Sequence, residues 1–279
     1  MKIILVPTDF SPEAEAGLEY AVALAGREDY RLILLHAFHL DTADILYSQI
    51  VSTVQSFKDV ALEQLQLTRD LISSKVKIQP ECIFEEGALG DVVNKIIKKR
   101  KIDFIIMGTH GAKGLKKLFF GSNTSGIIHN ARCPVISVPQ DLRFKNFSKI
   151  VFATNYHRED IEELRLVVDL VKPNNAYINV IHATRTPDNR LSPIMQAFEG
   201  NVRKHIHYPY FSFQMLKGNQ TQETLSKYLE TEKPDLFAIS TRKRQFIERL
   251  AGPGISETFS LECHFPLLIF HQATPPLVF

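Results

Sequence analysis

Short runs that are apolar throughout alternate along this chain with longer stretches whose apolar residues recur at helical spacing. Ile3–Val6, Leu32–Leu35, Phe104–Met107 and Val135–Val138 are runs of the first kind. A strand that is apolar at successive positions is buried on both faces, which marks a parallel sheet covered by helices. Between these runs, Leu18, Ala21, Val22 and Ala25 fall at i, i+3, i+4 and i+7. Leu89, Val92, Val93 and Ile96 do the same, and Ile97 adds i+8. Each set predicts one apolar helix stripe. Ser11-Pro12-Glu13 offers an N-cap, a proline at the first helical position and an early acid, so a helix starts there. A third strand is expected around 78–84 and a long helix over about 42–74. Strand and helix alternating in this way specify a doubly wound α/β sheet with right-handed crossovers.

The plan occurs twice. Lys2-Ile3-Ile4-Leu5-Val6 matches Lys149-Ile150-Val151-Phe152-Ala153, and Leu32–Ala37 matches Ile178–Ala183. Ile102–Ile106 matches Pro234–Ile239, and Cys133–Val138 matches Phe265–Phe270, in the same order. The offsets fall from 147 and 146 to about 132, so the second copy is shorter in its middle by about a dozen residues. The chain is therefore expected to hold two tandem doubly wound α/β domains, over 1–140 and 147–279, each an about five-stranded parallel sheet. In the second copy Ile161, Leu164, Val168 and Val171 repeat the first helix stripe. Pro187 and Pro193 are expected to break or shorten its counterpart of the long helix. The closing strands of the copies, Val135–Val138 and Leu267–Phe270, are expected to pair edge to edge as an intramolecular pseudo-dimer, which would cover two open edges. Further homodimerisation is left open.

Composition adds mainly exclusions. The 279 residues fit about two domains. Thirty-three Lys and Arg against 31 Asp and Glu leave a net charge of +2. So even a balance gives no general electrostatic reason to bind nucleic acid or an anionic membrane. No apolar run reaches the ~18 residues of a membrane span. The first apolar run meets Asp9 too soon for a signal peptide. Cys82, Cys133 and Cys263 are odd in number and far apart, which reads as free thiols in a reducing, cytoplasmic setting.

Ligands of open α/β sheets bind beyond the carboxyl ends of the strands, at the switch point of strand order. Pro7-Thr8-Asp9 follows the first strand. Met107 closes the fourth, and Gly108-Thr109-His110-Gly111 follows. Gly121-Ser122-Asn123-Thr124 precedes the next helix. Glycines let a backbone turn tightly and a ligand come close. Free N–H groups at a helix start favour phosphate, and Ser122 and Thr124 hydroxyls add donors. Asp9 suits a ribose hydroxyl or a magnesium ion.

Gly108-x2-Gly111-x9-Gly121-Ser122, with Pro7-Thr8-Asp9 near the start and Cys133-Pro134-Val135 near the end, resembles the universal stress protein family. The whole chain resembles a tandem member. The resemblance implies a Rossmann-like fold of the adenine nucleotide alpha hydrolase type, which binds ATP with slow or absent turnover and dimerises through the last strand. It implies that Pro7, Thr8 and Asp9 meet the ribose or the phosphate–metal region. The backbone of Ala37 would meet adenine. Met107, Gly108, His110 and Gly111 would line ribose and phosphates, and Gly121, Ser122, Asn123 and Thr124 would hold the phosphates. Asn123 departs from the small apolar residue usual there, but its N–H remains. ATP, with or without Mg2+, is the implied ligand; the implied role is a nucleotide-dependent stress-response module. A slow ATP hydrolase and an interaction scaffold using the long helix stay as alternatives. No catalytic residue is assigned.

The second copy departs more. Thr154-Asn155-Tyr156 stands in the place of Pro7-Thr8-Asp9, so the carboxylate is lost. Ser240 and Lys243 stand for the two glycines, and Pro253 removes an N–H from the phosphate nest. This half is expected not to bind ATP. His205 and His207 are spaced to share one face of a strand, but without a nearby carboxylate or cysteine they do not make a metal site. Lys98-Lys99-Arg100-Lys101 closes a helix where cations suit the dipole.

Overall fold

A computed structural model describes residues 2–27, 30–38, 50–109, 126–128, 131–185, 191–241 and 265–271. Among these, the chain divides into two compact units, one ending at Phe144 and the other beginning at Lys145.

The first unit runs β1 (Lys2–Pro7), α1 (Pro12–Ala25), β2 (Tyr30–Phe38), α2 (Ile50–Lys75), β3 (Glu81–Glu86), α3 (Leu89–Lys99), β4 (Phe104–Thr109) and β5 (Val135–Pro139). Its strands are parallel in the order β3-β2-β1-β4-β5. Strand order reverses at β1 and β4, which puts the switch point between their carboxyl ends. Ile4, Leu5, Val6, Leu32–Leu35 and Phe104–Ile106 are buried on both faces, as continuous apolar runs require. Ser11 Oγ caps α1 by accepting from Ala14 N–H at 3.2 Å. The helix then buries Leu18, Tyr20, Ala21, Leu24 and Ala25.

The second unit runs β6 (Lys149–Ala153), α4 (Glu159–Val171), β7 (Tyr177–Thr184), α5 (Leu191–His205), β8 (Phe211–Lys217), α6 (Thr221–Glu232), β9 (Leu236–Thr241) and β10 (Leu267–His271). Its parallel order, β8-β7-β6-β9-β10, is that of the first unit. One device is repeated at the start of both sheets. Asp103 Oδ2 accepts from Ile3 N–H at 2.8 Å, and Asp103 N–H donates to the Ile3 carbonyl. In the second unit Asp235 Oδ2 accepts from Ser148 and Lys149 N–H, and Asp235 N–H donates to the Lys149 carbonyl. Each aspartate ties the fourth strand of its unit to the first.

Two expectations are corrected, and a third holds in part. The device pairs Ile3 with Lys149, so the first-strand offset is 146 and not 147. Thr154 therefore stands for Thr8, Asn155 for Asp9 and Tyr156 for Phe10. Strands that are apolar on both faces lack the alternation that would have fixed the register. His205 ends a helix and His207 lies in the loop after it, so they share no strand face. Pro193 does not break α5; it sits in the first turn, where its missing N–H has no helical partner to lose. The helix is shorter than α2, 15 residues against 26.

Candidate functional site

The register gathers six of the predicted residues at one end of the first sheet. Pro7 lies beside Leu35, which brings Ala37 level with Asp9. Leu5 lies beside Ile105, which carries Met107 and Gly108 to the level of Pro7 and Thr8. His110, Gly111, Gly121, Ser122, Asn123 and Thr124 lie outside the described residues.

The loop after β1 is held by short local bonds. Thr8 N–H donates to the Leu35 carbonyl at 2.8 Å, and Thr8 Oγ1 accepts from Phe10 N–H at 3.0 Å. Phe10 has φ +62°, a left-handed conformation that costs a non-glycine residue about 1 kcal/mol. Asp9 is exposed. Its Oδ1 accepts from Ser11 N–H at 3.0 Å and Ser11 Oγ–H at 2.5 Å. The same hydroxyl caps α1, so the carboxylate is aimed through Ser11 by the start of the helix. Oδ2 has no hydrogen-bond partner among the described residues.

His36 donates Nδ1–H to the Thr8 carbonyl at 2.8 Å, since a carbonyl only accepts. Its ring stacks between Phe10 at 4.8 Å and Phe84 at 5.7 Å, and Phe84 stacks on Phe38. This row of rings along the ends of β1, β2 and β3 was not anticipated from the sequence. The phenylalanines come from one loop and two strands, and only the parallel register brings them together.

Gly108 has a packing role besides the one its motif suggested. A Cβ there would lie 1.6 Å from the Glu13 carbonyl oxygen and 2.4 Å from its carbon. A Cβ on Gly17 would lie 2.4 Å from Gly108 N. The absent side chains let α1 lie directly on β4, so this glycine serves helix–sheet packing. Beside it, Thr109 is buried and donates to the Val138 carbonyl at 3.3 Å.

The second unit builds the same frame and fills it. Thr154 N–H donates to the Ile181 carbonyl, Thr154 Oγ1 accepts from Tyr156 N–H, and His182 Nδ1–H donates to the Thr154 carbonyl. Tyr156 repeats the left-handed backbone at φ +63° and lies 4.6 Å from the His182 ring. Here the contents diverge. Fully buried Asp160 puts Oδ2 on Thr154 Oγ1 at 2.6 Å and on the N–H groups of Asn155 and His157. Glu163 stands for Gly17 and Ser240 for Gly108, and Ser240 Oγ donates to Glu163 Oε1 at 3.1 Å. Tyr156 packs on Phe198 of α5, and burial pushes its phenol up to about 12. Its hydroxyl has no hydrogen-bond partner among the described residues.

No cluster of three or more His, Cys, Asp or Glu residues able to hold a metal occurs among the described residues. No helix among them is long and apolar enough to cross a membrane.

A family model described as "Universal stress protein family" matches residues 1–139. Universal stress protein A homolog 2 of Coxiella burnetii is 30% identical over 140 residues, which is 49% of this chain and 94% of that protein. Universal stress protein MJ0577 of Methanocaldococcus jannaschii is 29% identical over 155 residues, 49% of this chain and 94% of its own. A solved universal stress protein from Archaeoglobus fulgidus matches the fold with a TM-score of 0.71 at 18% identity, over 97% of this chain and 98% of its own.

Proposed function

The chain belongs to the universal stress protein family, and we propose that its first unit binds one adenine nucleotide, ATP, as an occupancy signal with little or no turnover. The second unit, on this reading, is a filled copy that binds none.

The observation that carries the reading is the contrast between two copies of one loop. Both keep the threonine, the left-handed aromatic residue and the histidine beneath it. In the first copy the loop carries an exposed carboxylate, Asp9, with one oxygen uncommitted among the described residues, at the end of the sheet that also carries Gly108, the first residue of the sequence motif Gly108-x2-Gly111-x9-Gly121-Ser122. In the second copy Asp160, Glu163, Ser240 and the Tyr156–Phe198 pair occupy the corresponding ground. Asp9 would take the ribose or the phosphate–metal region. The Ala37 backbone would take adenine, and the N–H groups from Gly121 to Thr124 the phosphates, where a helix start favours anions.

Isothermal titration of magnesium-ATP into nucleotide-free protein tests this, beside Gly121→Asp, whose carboxylate would repel phosphate. One ATP per chain, lost in the variant, is the expected result. Two per chain would overturn the reading of the second unit, and no binding would overturn the whole. Release of inorganic phosphate from the same sample separates a silent binder from a slow hydrolase.

A further inference from the structure

Helix α2 carries two apolar stripes. Ala61, Leu65 and Ile72 face inward and are buried. Phe57, Val60, Leu67 and Leu71 face outward and are 60, 55, 54 and 53% exposed. With Gln64, the outer set falls at i, i+3, i+7, i+10 and i+14, the seam spacing of one helix packed along another. Exposed side chains of this size total on the order of 400 Å2, the scale at which an apolar patch on a monomer is functional.

The stripe is the lip of a groove. A cavity of about 290 Å3 lies between α1 and α2, floored by Leu18, Val22 and Ile72 and edged by Leu71. Phe10 and Thr8 also line it. Its α1 wall is acidic, with Glu15 and Glu19, and Glu19 is paired to Arg143. On the far side of the stripe Glu63 lies one turn from both Val60 and Leu67, whereas Asp70, one turn from Leu67, is paired to its neighbour Arg69 at 2.8 Å. Among the described residues each rim thus keeps one acid without an ion pair, Glu15 and Glu63, and Lys75 also lines the groove.

We infer that this groove docks an amphipathic helix of another protein, with apolar residues at seam spacing and lysine or arginine on both flanks. A helix is the occupant because the contact offered is a straight, heptad-spaced crest beside a trough. The stripe from Phe57 to Leu71 is ~21 Å long, four turns of a partner helix. The flanks are basic because both rims are acidic. The same rims oppose a second copy of this face, since like charges would meet across it. Counting both partners, such a contact buries about 1,000 Å2, the lower edge of specific interfaces, so it is a micromolar and transient one.

The test uses the full chain and two synthetic helical peptides of equal length. Both have leucines at seam spacing, one with lysine and one with glutamate flanks. Fluorescence anisotropy of the labelled lysine peptide should show micromolar binding that weakens with salt, and the glutamate peptide at least tenfold weaker binding. The double variant Leu67→Ser, Leu71→Ser should weaken the lysine peptide at least tenfold. These side chains are exposed, so the fold should hold, as checked by circular dichroism. Tyr177→Ser, which trims an exposed aromatic residue of the second unit, should change nothing. Equal affinity for the two peptides, no binding, or an unaffected double variant would each overturn the inference. Sedimentation of the protein alone supplies the last arm: self-association abolished by the double variant would give the face to a second copy and overturn it too.

Discussion

Replacing Gly108 by alanine tests whether this glycine serves packing. The added Cβ would sit 1.6 Å from the Glu13 carbonyl oxygen and 3.2 Å from Ala14 N. A carbon–oxygen contact needs about 3.3 Å, so the first turn of α1 must withdraw by ~1.7 Å. Both sides of the clash are backbone, and no rotamer relieves it. Overpacking of this kind costs about 1–3 kcal/mol. Displacing the first turn also strains the Ser11 cap at Ala14 N–H, worth ~1 kcal/mol. The expected loss is about 2–4 kcal/mol, a large share of the ~5–15 kcal/mol that holds a domain together. Urea unfolding read by hydrogen exchange and mass spectrometry separates peptides of the two units. Protection should fall across β1, α1 and β4, while peptides of β6 to β9 keep their midpoint. Gly17→Ala, with its Cβ 2.4 Å from Gly108 N, should act in the same unit. A midpoint for unit-one peptides within about 0.5 kcal/mol of the parent, the ordinary range of a surface change, would refute the reasoning.

Asp160→Ala in the second unit removes one acceptor from two N–H groups and a hydroxyl. It should cost about 2–4 kcal/mol in urea unfolding, with loss of protection in β6 and α4 and no change in nucleotide titration. Burial pushes the Cys133 thiol up to about 12. It should therefore resist iodoacetamide at pH 9 in the folded chain and react once urea unfolds it. A thiol raised on folding keeps its proton while the unfolded thiol loses it, so this contribution to stability falls from about pH 9 to pH 12. Raised Tyr156 acts in the same direction above its ordinary value of 10. Cys133→Ala should flatten the alkaline decline measured by thermal melts between pH 8 and pH 11.

The inner strands were legible because β1, β2, β4 and β5 are buried on both faces along most of their length, so a bare apolar run is a clear signal; the outer strands β3 and β8 are half-exposed and gave a weaker one. Burial on both faces also hid the register. Ile3–Val6 and Ile150–Phe152 slide past one another by one residue without exposing anything polar, and the offset is fixed by bonds seen in the folded chain, those of Asp103 and Asp235 and those of the Thr8 and Thr154 loops. The α1 cap was legible because Ser11-Pro12-Glu13 is local chemistry. The left-handed Phe10 and Tyr156 were not. Aromatic residues do not favour that conformation, and what holds it is a threonine hydroxyl two positions back and a histidine from the next strand. Gly108 was singled out correctly as a residue that must lack a side chain. Its partner, the carbonyl of Glu13 nearly a hundred positions away, exists only in the folded sheet.

The glycine pair in one unit and the Glu163–Ser240 pair in the other have a consequence for the history of the duplicated chain. Adding a side chain to either glycine drives an atom into backbone. Removing Ser240 Oγ takes a donor from a buried carboxylate, and trimming Glu163 to glycine leaves a hole under α4. No single substitution carries one arrangement into the other without passing through a less stable chain. The two halves stand on opposite sides of a valley in sequence space. Reopening the filled half would take concerted changes in a helix and a strand, so its divergence works as a ratchet.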